Sequence, residues 1–285
     1  MKVSLQSVSK VFVDGDRALT ALQSVSLDVA PGEFICLIGP SGCGKSTLLR
    51  LVADQIAPSA GAVQLDGGPP SQARQRNQIA WMAQNPALLP WKTVLENTAL
   101  PQVLGRHARQ SAGATQSAAA PLSAGARQSA GARQSAGARQ SAGAWPPSPH
   151  LSPWDLLTMV RLSGFASAYP QTLSGGMQQR VALARTLATG APLWLMDEPF
   201  ASLDELTREQ LTEDVLQLWD TFRPTVLWVT HHVPEAARIA DRIVVLTPGP
   251  GQIKALVPID LPRPRDETSP QMSSIIRTLR ELLRE

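Results

Sequence analysis

Long apolar runs are absent from this chain of 285 residues. No uninterrupted apolar run approaches the roughly 20 residues that a membrane-spanning helix requires. The N-terminus also lacks the apolar core of roughly 7–15 residues that is typical of a secretory signal peptide. We therefore expect a cytosolic protein.

Cysteine is scarce, with only Cys36 and Cys43 in the chain. Cys36 lies in an apolar run and Cys43 lies in a glycine-rich stretch. Neither context indicates a disulfide framework or a cysteine-based metal site. We expect Cys36 to be a core residue and Cys43 to be a small loop residue.

Acidic residues are missing from the segment 109–144, which contains Arg109, Arg127, Arg133 and Arg139. Removing these four arginines from the net charge of +3 leaves −1 for the rest of the chain. The basicity of the protein therefore belongs to one segment. Because the remainder is nearly neutral, we expect no nucleic-acid partner.

The same segment is a tandem array with a period of six residues. Intact copies of Arg-Gln-Ser-Ala-Gly-Ala stand at 109–114, 127–132, 133–138 and 139–144, and degraded copies at 115–120 and 121–126. A β-helix needs a large apolar residue at one phase of its repeat, and Leu122 is the only one here. A glycine in nearly every copy disfavours a long helix by about 1 kcal/mol each. We expect the array to be disordered and to be a tolerated surface insertion.

Outside the array, short strands precede an alternation of strands and helices. Residues 1–33 alternate in polarity and predict antiparallel strands. From Phe34 onwards, apolar runs of four or five residues alternate with amphipathic segments, which predicts a largely parallel sheet. Ser269 and Pro270 begin a final amphipathic helix.

A glycine-rich stretch follows the apolar run Phe34–Ile38 and precedes an amphipathic helix. The stretch consists of Gly39, Pro40, Ser41, Gly42, Cys43, Gly44, Lys45, Ser46 and Thr47. This strand–loop–helix context turns the pattern G-x-x-x-x-G-K-[ST] into a phosphate-binding loop, whose backbone N–H groups close around an anion. Lys45 would contact the β- and γ-phosphates, and the Ser46 hydroxyl would ligate Mg²⁺. The chain is therefore expected to bind a nucleoside triphosphate.

Two more apolar strands end in groups that suit triphosphate hydrolysis. Asp197 and Glu198 follow the apolar run 193–196, and His231 follows the run 225–229. An Asp-Glu pair in general marks a solvated loop, but here a buried strand precedes it and a phosphate loop is present. One carboxylate can hold Mg²⁺, the next can deprotonate the attacking water, and His231 can donate to the γ-phosphate. We expect no catalytic role for His232.

Ser174, Gly175 and Gly176 open a helix and form a second candidate anion site. One chain has no use for two triphosphate cradles unless the second faces the nucleotide of a partner. We therefore predict a homodimer with nucleotide sandwiched at its interface.

The sequence allows two interpretations of Phe12, as a core aromatic or as a stacking platform for a nucleobase.

Taken together and in this order, these motifs resemble the ATP-binding subunit of an ABC transporter over the whole chain except about 106–150. The resemblance implies that 39–47 is the Walker A loop, 173–177 the signature motif and 193–198 Walker B. It further implies these roles: Glu198 as general base, Gln84 as Q-loop glutamine and metal ligand, Asp197 as metal ligand, His231 as switch histidine, Ser202-Leu203-Asp204 as D-loop, and Phe12 as the aromatic that stacks on adenine.

The implied fold is α/β, a P-loop NTPase with a RecA-like core, an N-terminal antiparallel β-subdomain and an inserted helical subdomain. We expect a single ABC ATPase domain over 1–285. Residues 1–84 and 181–250 would form the β-subdomain and the core. Residues 85–180 would form the helical subdomain, which the repeat interrupts, and 251–285 a C-terminal extension with a terminal helix.

The segments 87–91, 197–200, 206–208 and 260–264 resemble the nitrate, sulfonate and taurine importer branch. The resemblance implies ATP and Mg²⁺ as ligands, transmembrane permease subunits as partners, an indirect link to a solute-binding protein, and a place at the cytoplasmic face of the membrane. The loop 85–91 would lie near the groove for the permease, although packing within the helical subdomain also explains its apolar character.

Two alternatives stay open. Importers of thiamine-pyrimidine precursors share much of this pattern, and soluble ABC ATPases of DNA repair or translation share the motifs. The latter carry long heptad repeats or two cassettes, whereas this chain has neither. The sequence departs from the family at His232, where an acid is usual, and at the array, which replaces part of a charged helical stretch.

Overall fold

The computed structural model describes residues 1–15, 17–117 and 151–284, without side chains for 106–117. Its strands are β1 (Val3–Asp14), β2 (Arg17–Val29), β3 (Phe34–Ile38), β4 (Ala60–Leu65), β5 (Ile79–Met82), β6 (Leu193–Asp197), β7 (Thr225–Val229), β8 (Arg242–Leu246) and β9 (Ile253–Pro258). Its α-helices are α1 (Lys45–Val52), α2 (Pro70–Gln75), α3 (Val94–Ser117), α4 (Pro153–Met159), α5 (Gly175–Leu187), α6 (Glu205–Phe222), α7 (Val233–Ile239) and α8 (Pro270–Arg284).

The two N-terminal strands and β4 form a separate antiparallel sheet in the order β2-β1-β4. Residues 1–33 were expected to be antiparallel strands, and this expectation is confirmed. Alternate residues of β1, such as Val3 and Leu5, are buried because one face of the sheet packs on the core.

A second sheet has the strand order β5-β6-β7-β3-β8-β9, and its pairs from β5 to β8 are parallel. Only β9, which returns beside β8, is antiparallel. All residues of β3 and of β7 are buried, as expected for continuous apolar strands that are covered on both faces. The predicted parallel sheet is confirmed, and it places the carboxyl ends of β6, β7 and β3 side by side.

Aromatic residues fill the space between this sheet and the helices of one layer. The ring centroids of Phe34 and Trp219 lie 5.8 Å apart, and those of Phe200 and Trp228 lie 5.4 Å apart in an edge-on arrangement. Such pairs contribute about 0.5–1.5 kcal/mol beyond the area that they bury. They fix α6 to the start of β3 and the segment after β6 to β7.

The helices α3, α4 and α5 pack together, and α5 contacts β5. Capping boxes start the first two of them. Thr93 Oγ1 accepts a hydrogen bond from Glu96 N at 3.2 Å, and Ser152 Oγ accepts one from Asp155 N at 3.1 Å. The bounds predicted for the helical subdomain stay a prediction.

The repeat array was expected to be disordered, and its start differs from that expectation. Helix α3 continues to Ser117, so the backbone of the first copy, 109–114, is helical. Alanine, arginine and glutamine favour a helix, and extending an existing helix avoids the cost of nucleation. The rest of the array lies outside the described residues.

The chain ends in the predicted amphipathic helix α8, which packs against α7 and β8. Its buried face carries Met272, Ile276 and Leu279. Lys254 Nζ donates to Leu282 O at 2.8 Å and fastens the last turn to β9. Within the described residues, no helix combines the length and the apolar character that crossing a membrane requires.

We expect Leu279→Ala to lower the free energy of unfolding by about 2–5 kcal/mol, because Leu279 is fully buried and its truncation leaves a cavity. The exposed neighbour Arg277 provides the control, and Arg277→Ala should change stability by no more than about 0.5 kcal/mol. Urea denaturation of both variants measures the difference. Equal midpoints for the two variants would show that α8 does not contribute to the core.

Candidate functional site

The loop 39–44 connects β3 to α1. Two of its glycines allow a close backbone approach that a side chain would prevent. Gly44 has a φ of +95°, and a Cβ atom there would lie 2.7 Å from Ala21 O on β2. A Cβ atom at Gly39 would lie 2.8 Å from Cys43 Sγ. The loop is therefore closely packed against β2 and against itself. Cys43 is buried, and so is Cys36 in β3, as expected.

Lys45 begins α1 and folds back over the loop. Its Nζ donates to Gly39 O at 2.8 Å and to Pro40 O at 3.0 Å. The side chain is buried apart from 7% of its surface. A buried ammonium group is thus held at the centre of the loop, where a phosphate oxygen would find both this charge and the N-terminus of α1.

Ser46 meets the end of β6, since its Oγ donates to Asp197 Oδ1 at 2.7 Å. Burial raises the pKa of the Asp197 carboxyl above its ordinary value, and the hydrogen bond from Ser46 opposes that rise. The structure therefore joins two predicted metal ligands. A hydroxyl and a carboxylate oxygen are hard ligands, so this donor pair fits Mg²⁺.

Glu198 and His231 face each other across the ends of β6 and β7. His231 Nδ1 lies 3.1 Å from Glu198 Oε2. The backbone of Glu198 has a φ of +47°, which is rare for a residue with a side chain, and its N–H donates to Val229 O at 3.0 Å. The extra backbone bond holds Glu198 in this conformation, so its carboxylate is positioned by the sheet.

A buried carboxyl group lies behind this pair and was missed by the sequence prediction. Glu235 Oε2 accepts from Trp228 Nε1 and Glu235 Oε1 accepts from Thr212 Oγ1, both at 3.4 Å. Burial raises the pKa of Glu235. His232 Nδ1 accepts from Glu235 N at 3.3 Å and caps α7, which gives His232 a structural role. An acid in the first turn of a helix is too common to have indicated burial.

Gln84 follows β5, which pairs with β6 on the side away from β7. Its side chain is exposed, while its backbone oxygen accepts a hydrogen bond from Gln179 Nε2 at 2.8 Å. Gln84 thus lies at the carboxyl end of its strand, as Asp197 does in the neighbouring strand β6.

Phe12 lies near the end of β1, and 40% of its surface is exposed. Lys10 Nζ stands 5.1 Å from its ring centroid. Lys10 pairs with Leu22 on β2, and Leu22 packs at Gly44 of the phosphate loop. A ring with 40% of its surface exposed is not packed as a core aromatic, so its exposure favours the stacking platform.

A second group of predicted residues gathers at two helix N-termini. Ser174 Oγ accepts from Met177 N at 3.3 Å and caps α5, and Asp204 Oδ1 accepts from Thr207 N at 3.0 Å and caps α6. The backbone hydrogen bond from Thr207 lowers the pKa of Asp204. A Cβ atom at Gly176 would lie 2.7 Å from Thr207 Cγ2, so glycine allows the two helix starts to pack closely.

The predicted residues therefore form two groups. The first gathers at the ends of β3, β6 and β7, and it contains the phosphate loop, Asp197, Glu198 and His231. The second contains Ser174–Gly176 and Asp204. The segment 199–204 connects Glu198 of the first group to Asp204 of the second.

Residues 22–201 match the sequence profile of the ABC transporter family. This range contains the phosphate loop, both carboxylates and the second group up to Gly176. Because the match covers more than half of the chain, the chain belongs to the ABC transporter family.

Similar proteins point to one branch of the family. The chain is 36% identical to the nitrate import ATP-binding protein NrtD of Synechococcus elongatus over 91% of this chain and 82% of that protein. It is 34% identical to the aliphatic sulfonates import ATP-binding protein SsuB of Bacillus subtilis over 96% of this chain and 91% of that protein. The resemblance to nitrate and sulfonate importers is confirmed.

A solved structure supports the fold and the chemistry. It is the dimeric post-hydrolysis state of the ATP-binding cassette MJ0796 bound to ADP and Pi, which matches with a TM-score of 0.67 and 28% identity. The match covers 91% of this chain and 99% of that one. The predicted P-loop NTPase fold is confirmed, and this protein is an ATPase.

The buried Glu235 predicts a pH-dependent difference in stability. Because folding raises its pKa above the ordinary 4.5, the folded state binds the proton more tightly, and this contribution to stability is lost as pH rises. The urea midpoint of wild type should therefore fall relative to that of Glu235→Gln between pH 5 and pH 8. Glu281→Gln, which removes an exposed carboxylate, is the control. Midpoints of wild type and Glu235→Gln that stay parallel would mean that folding leaves this carboxyl unperturbed.

Proposed function

We propose that this chain is the ATP-hydrolysing subunit of an importer for a small solute, with its catalytic centre at the adjoining ends of β3, β6 and β7. One observation carries the proposal. Glu198 Oε2 lies 3.1 Å from His231 Nδ1, beside the pair formed by Ser46 and Asp197. A base, a donor and a metal-binding pair are thus assembled next to a phosphate loop.

The triphosphate binds in the loop 39–47. Backbone N–H groups at the start of α1 surround the β-phosphate, and Lys45 exchanges its two carbonyl contacts for phosphate oxygens. The exposed ring of Phe12 stacks on the adenine. The glycines at 39, 42 and 44 leave room for the phosphates to approach the backbone.

Ser46, Asp197 and Gln84 would hold Mg²⁺, as the oxygen character of these groups supports. When bound, Mg²⁺ neutralises charge on the β- and γ-phosphates. Asp197 is half-buried at the end of a rigid strand, so its carboxylate is aimed before nucleotide arrives. Gln84, which lies in the loop after the neighbouring strand β5, would be the third ligand.

Glu198 acts as the general base. It accepts a proton from water while the water oxygen bonds to the γ-phosphorus and the bond to the β–γ bridging oxygen breaks. His231 stays beside the carboxylate and donates to a γ-phosphate oxygen. The backbone hydrogen bond from Glu198 N to Val229 O fixes the position of Glu198 relative to β7.

The second group of residues serves the nucleotide of a partner copy. Ser174, Gly175 and Gly176 offer a serine hydroxyl and the N-terminus of α5 to a γ-phosphate, and Asp204 lies beside them. Ser174 and Asp204 are exposed, as an interface between copies requires. Two nucleotides are then sandwiched between two copies of the chain.

Permease subunits dock on the surface around the loop 85–91. Trp91 is 70% exposed, and Phe165 and Tyr169 are 46% and 44% exposed. Backbone bonds from Val94 N to Ala168 O and from Leu95 N to Ala166 O bring their segments together. An apolar surface of this kind suits a membrane-protein partner at the cytoplasmic face, which in turn receives solute from a solute-binding protein.

The solute is nitrate, a sulfonate, taurine or a similar small molecule, because the similar proteins are named for nitrate and aliphatic sulfonates. An importer of a thiamine-pyrimidine precursor remains the alternative of the same class. A soluble ABC ATPase of DNA repair or translation has less support, since both of these relatives are named as import proteins.

Glu198→Gln tests the catalytic centre. The amide cannot accept the proton, so we expect steady-state ATP hydrolysis to fall by about 10²–10⁴-fold while ATP affinity stays within about twofold. Glu205→Gln, which changes an exposed residue in the first turn of α6, is the matched control and should keep normal turnover. Near-normal hydrolysis by Glu198→Gln would remove the general base from this mechanism.

A further inference from the structure

The loop 83–93, which carries Gln84, lies between β5 and α3 and belongs to neither a sheet nor a helix. Buried backbone groups of such a loop must be satisfied elsewhere. Here side chains of two neighbouring helices satisfy them. These contacts reach the backbone of Gln84, Pro86, Ala87 and Leu89.

Helix α5 holds the first part of the loop. Gln179 Nε2 donates to Gln84 O at 2.8 Å, and Arg185 donates to Pro86 O and, at 3.0 Å, to Ala87 O. Gln179 is 1% exposed, and burial lowers the pKa of the Arg185 guanidinium. The Gln179 amide is thus taken out of water to bind a carbonyl oxygen, and the Arg185 guanidinium is partly buried where it binds two.

Helix α3 holds the second part. The buried Asn97 accepts from Leu89 N at 2.8 Å and donates to Leu89 O at 3.1 Å. The loop backbone is therefore fixed on both sides of Ala87, while the side chain of Gln84 stays exposed. Among the buried side-chain polar atoms of the described residues, Gln179 Oε1 is without a hydrogen-bond partner. A glutamine kept there at this cost is consistent with a specific need for its Nε2 donor.

We propose that Gln179 and Arg185 are positioning residues, which fix the backbone of the loop 83–93 so that Gln84 reaches the metal site. The inference rests on the metal-binding role proposed for Gln84. The helix that carries both residues also begins with the cap Ser174. Helix α5 therefore determines the position of Gln84 at the metal site of the same chain and the position of Ser174, which faces the nucleotide of the partner copy.

The proposal can be tested without ATP turnover by measuring the affinity for Mn²⁺, which stands in for Mg²⁺. Mn²⁺ binding would be measured by electron paramagnetic resonance on the full chain, saturated with a non-hydrolysable ATP analogue. Gln179→Leu keeps the volume of the side chain and removes the donor, and it should weaken Mn²⁺ binding by about 10–100-fold. Thr186→Val is the control, because Thr186 donates within α5 to Ala182 O and does not touch the loop.

A double-mutant cycle distinguishes positioning from a general loss of structure. If Gln179 acts through Gln84, adding Gln179→Leu to Gln84→Ala should change Mn²⁺ affinity by less than about twofold. Full additivity, or normal Mn²⁺ affinity in Gln179→Leu, overturns the inference alone. Normal Mn²⁺ affinity in Gln84→Ala overturns the proposed metal role of Gln84 and the inference with it.

Arg185 provides a second route should Gln179→Leu fold poorly. Arg185→Met removes both carbonyl contacts, whereas Arg185→Lys keeps the charge and one donor position. We expect Mn²⁺ affinity in the order wild type, Arg185→Lys, Arg185→Met, with unchanged affinity for the nucleotide without metal. Equal Mn²⁺ affinity in all three proteins contradicts a positioning role for Arg185.

Discussion

Parallel pairing of β6 with β7 and of β7 with β3 is the constraint on which the site depends. The register aligns Asp197 with Val229 and Leu37 with Val229, so three strands end at one level. Glu198 and His231 then follow neighbouring strand ends, and Ser46 lies in the first turn of the helix that follows β3, although the three are far apart in the sequence. The contact of 2.7 Å between Ser46 and Asp197 and that of 3.1 Å between Glu198 and His231 follow from this alignment.

These strands are apolar along their length and polar at their ends, and both properties contribute to the site. The runs that form β3 and β7 are buried throughout, which makes the strand ends rigid. A positive φ at Glu198 is sustained because a backbone hydrogen bond to β7 stabilises it. Rigid ends hold the base and the metal ligands in place, whereas the helices α3 to α5 are joined to the sheet through the loop 83–93 and the segment 188–192.

Local patterns were sufficient to predict the phosphate loop, the carboxylates after β6 and the helix caps Ser174 and Ser269. These features depend on residues that are close in sequence, so periodicity and capping rules apply directly. The roles of Gln179, Arg185 and Glu235 were missed, because each depends on a carbonyl or hydroxyl that is distant in sequence. Helix α3 also extended into the repeat array, since a packed helix can continue into residues that would not start one.

In the proposed mechanism, each ATP site is shared between two copies of the chain. The solution mass of Glu198→Gln, measured by light scattering with and without ATP and Mg²⁺, tests it most directly. One chain has a mass of 30.5 kDa, and the account predicts twice this mass when ATP is bound. A further Ser174→Arg substitution should return the protein to 30.5 kDa without loss of ATP binding. A Glu198→Gln protein that binds ATP and stays at the mass of one chain would contradict the shared site.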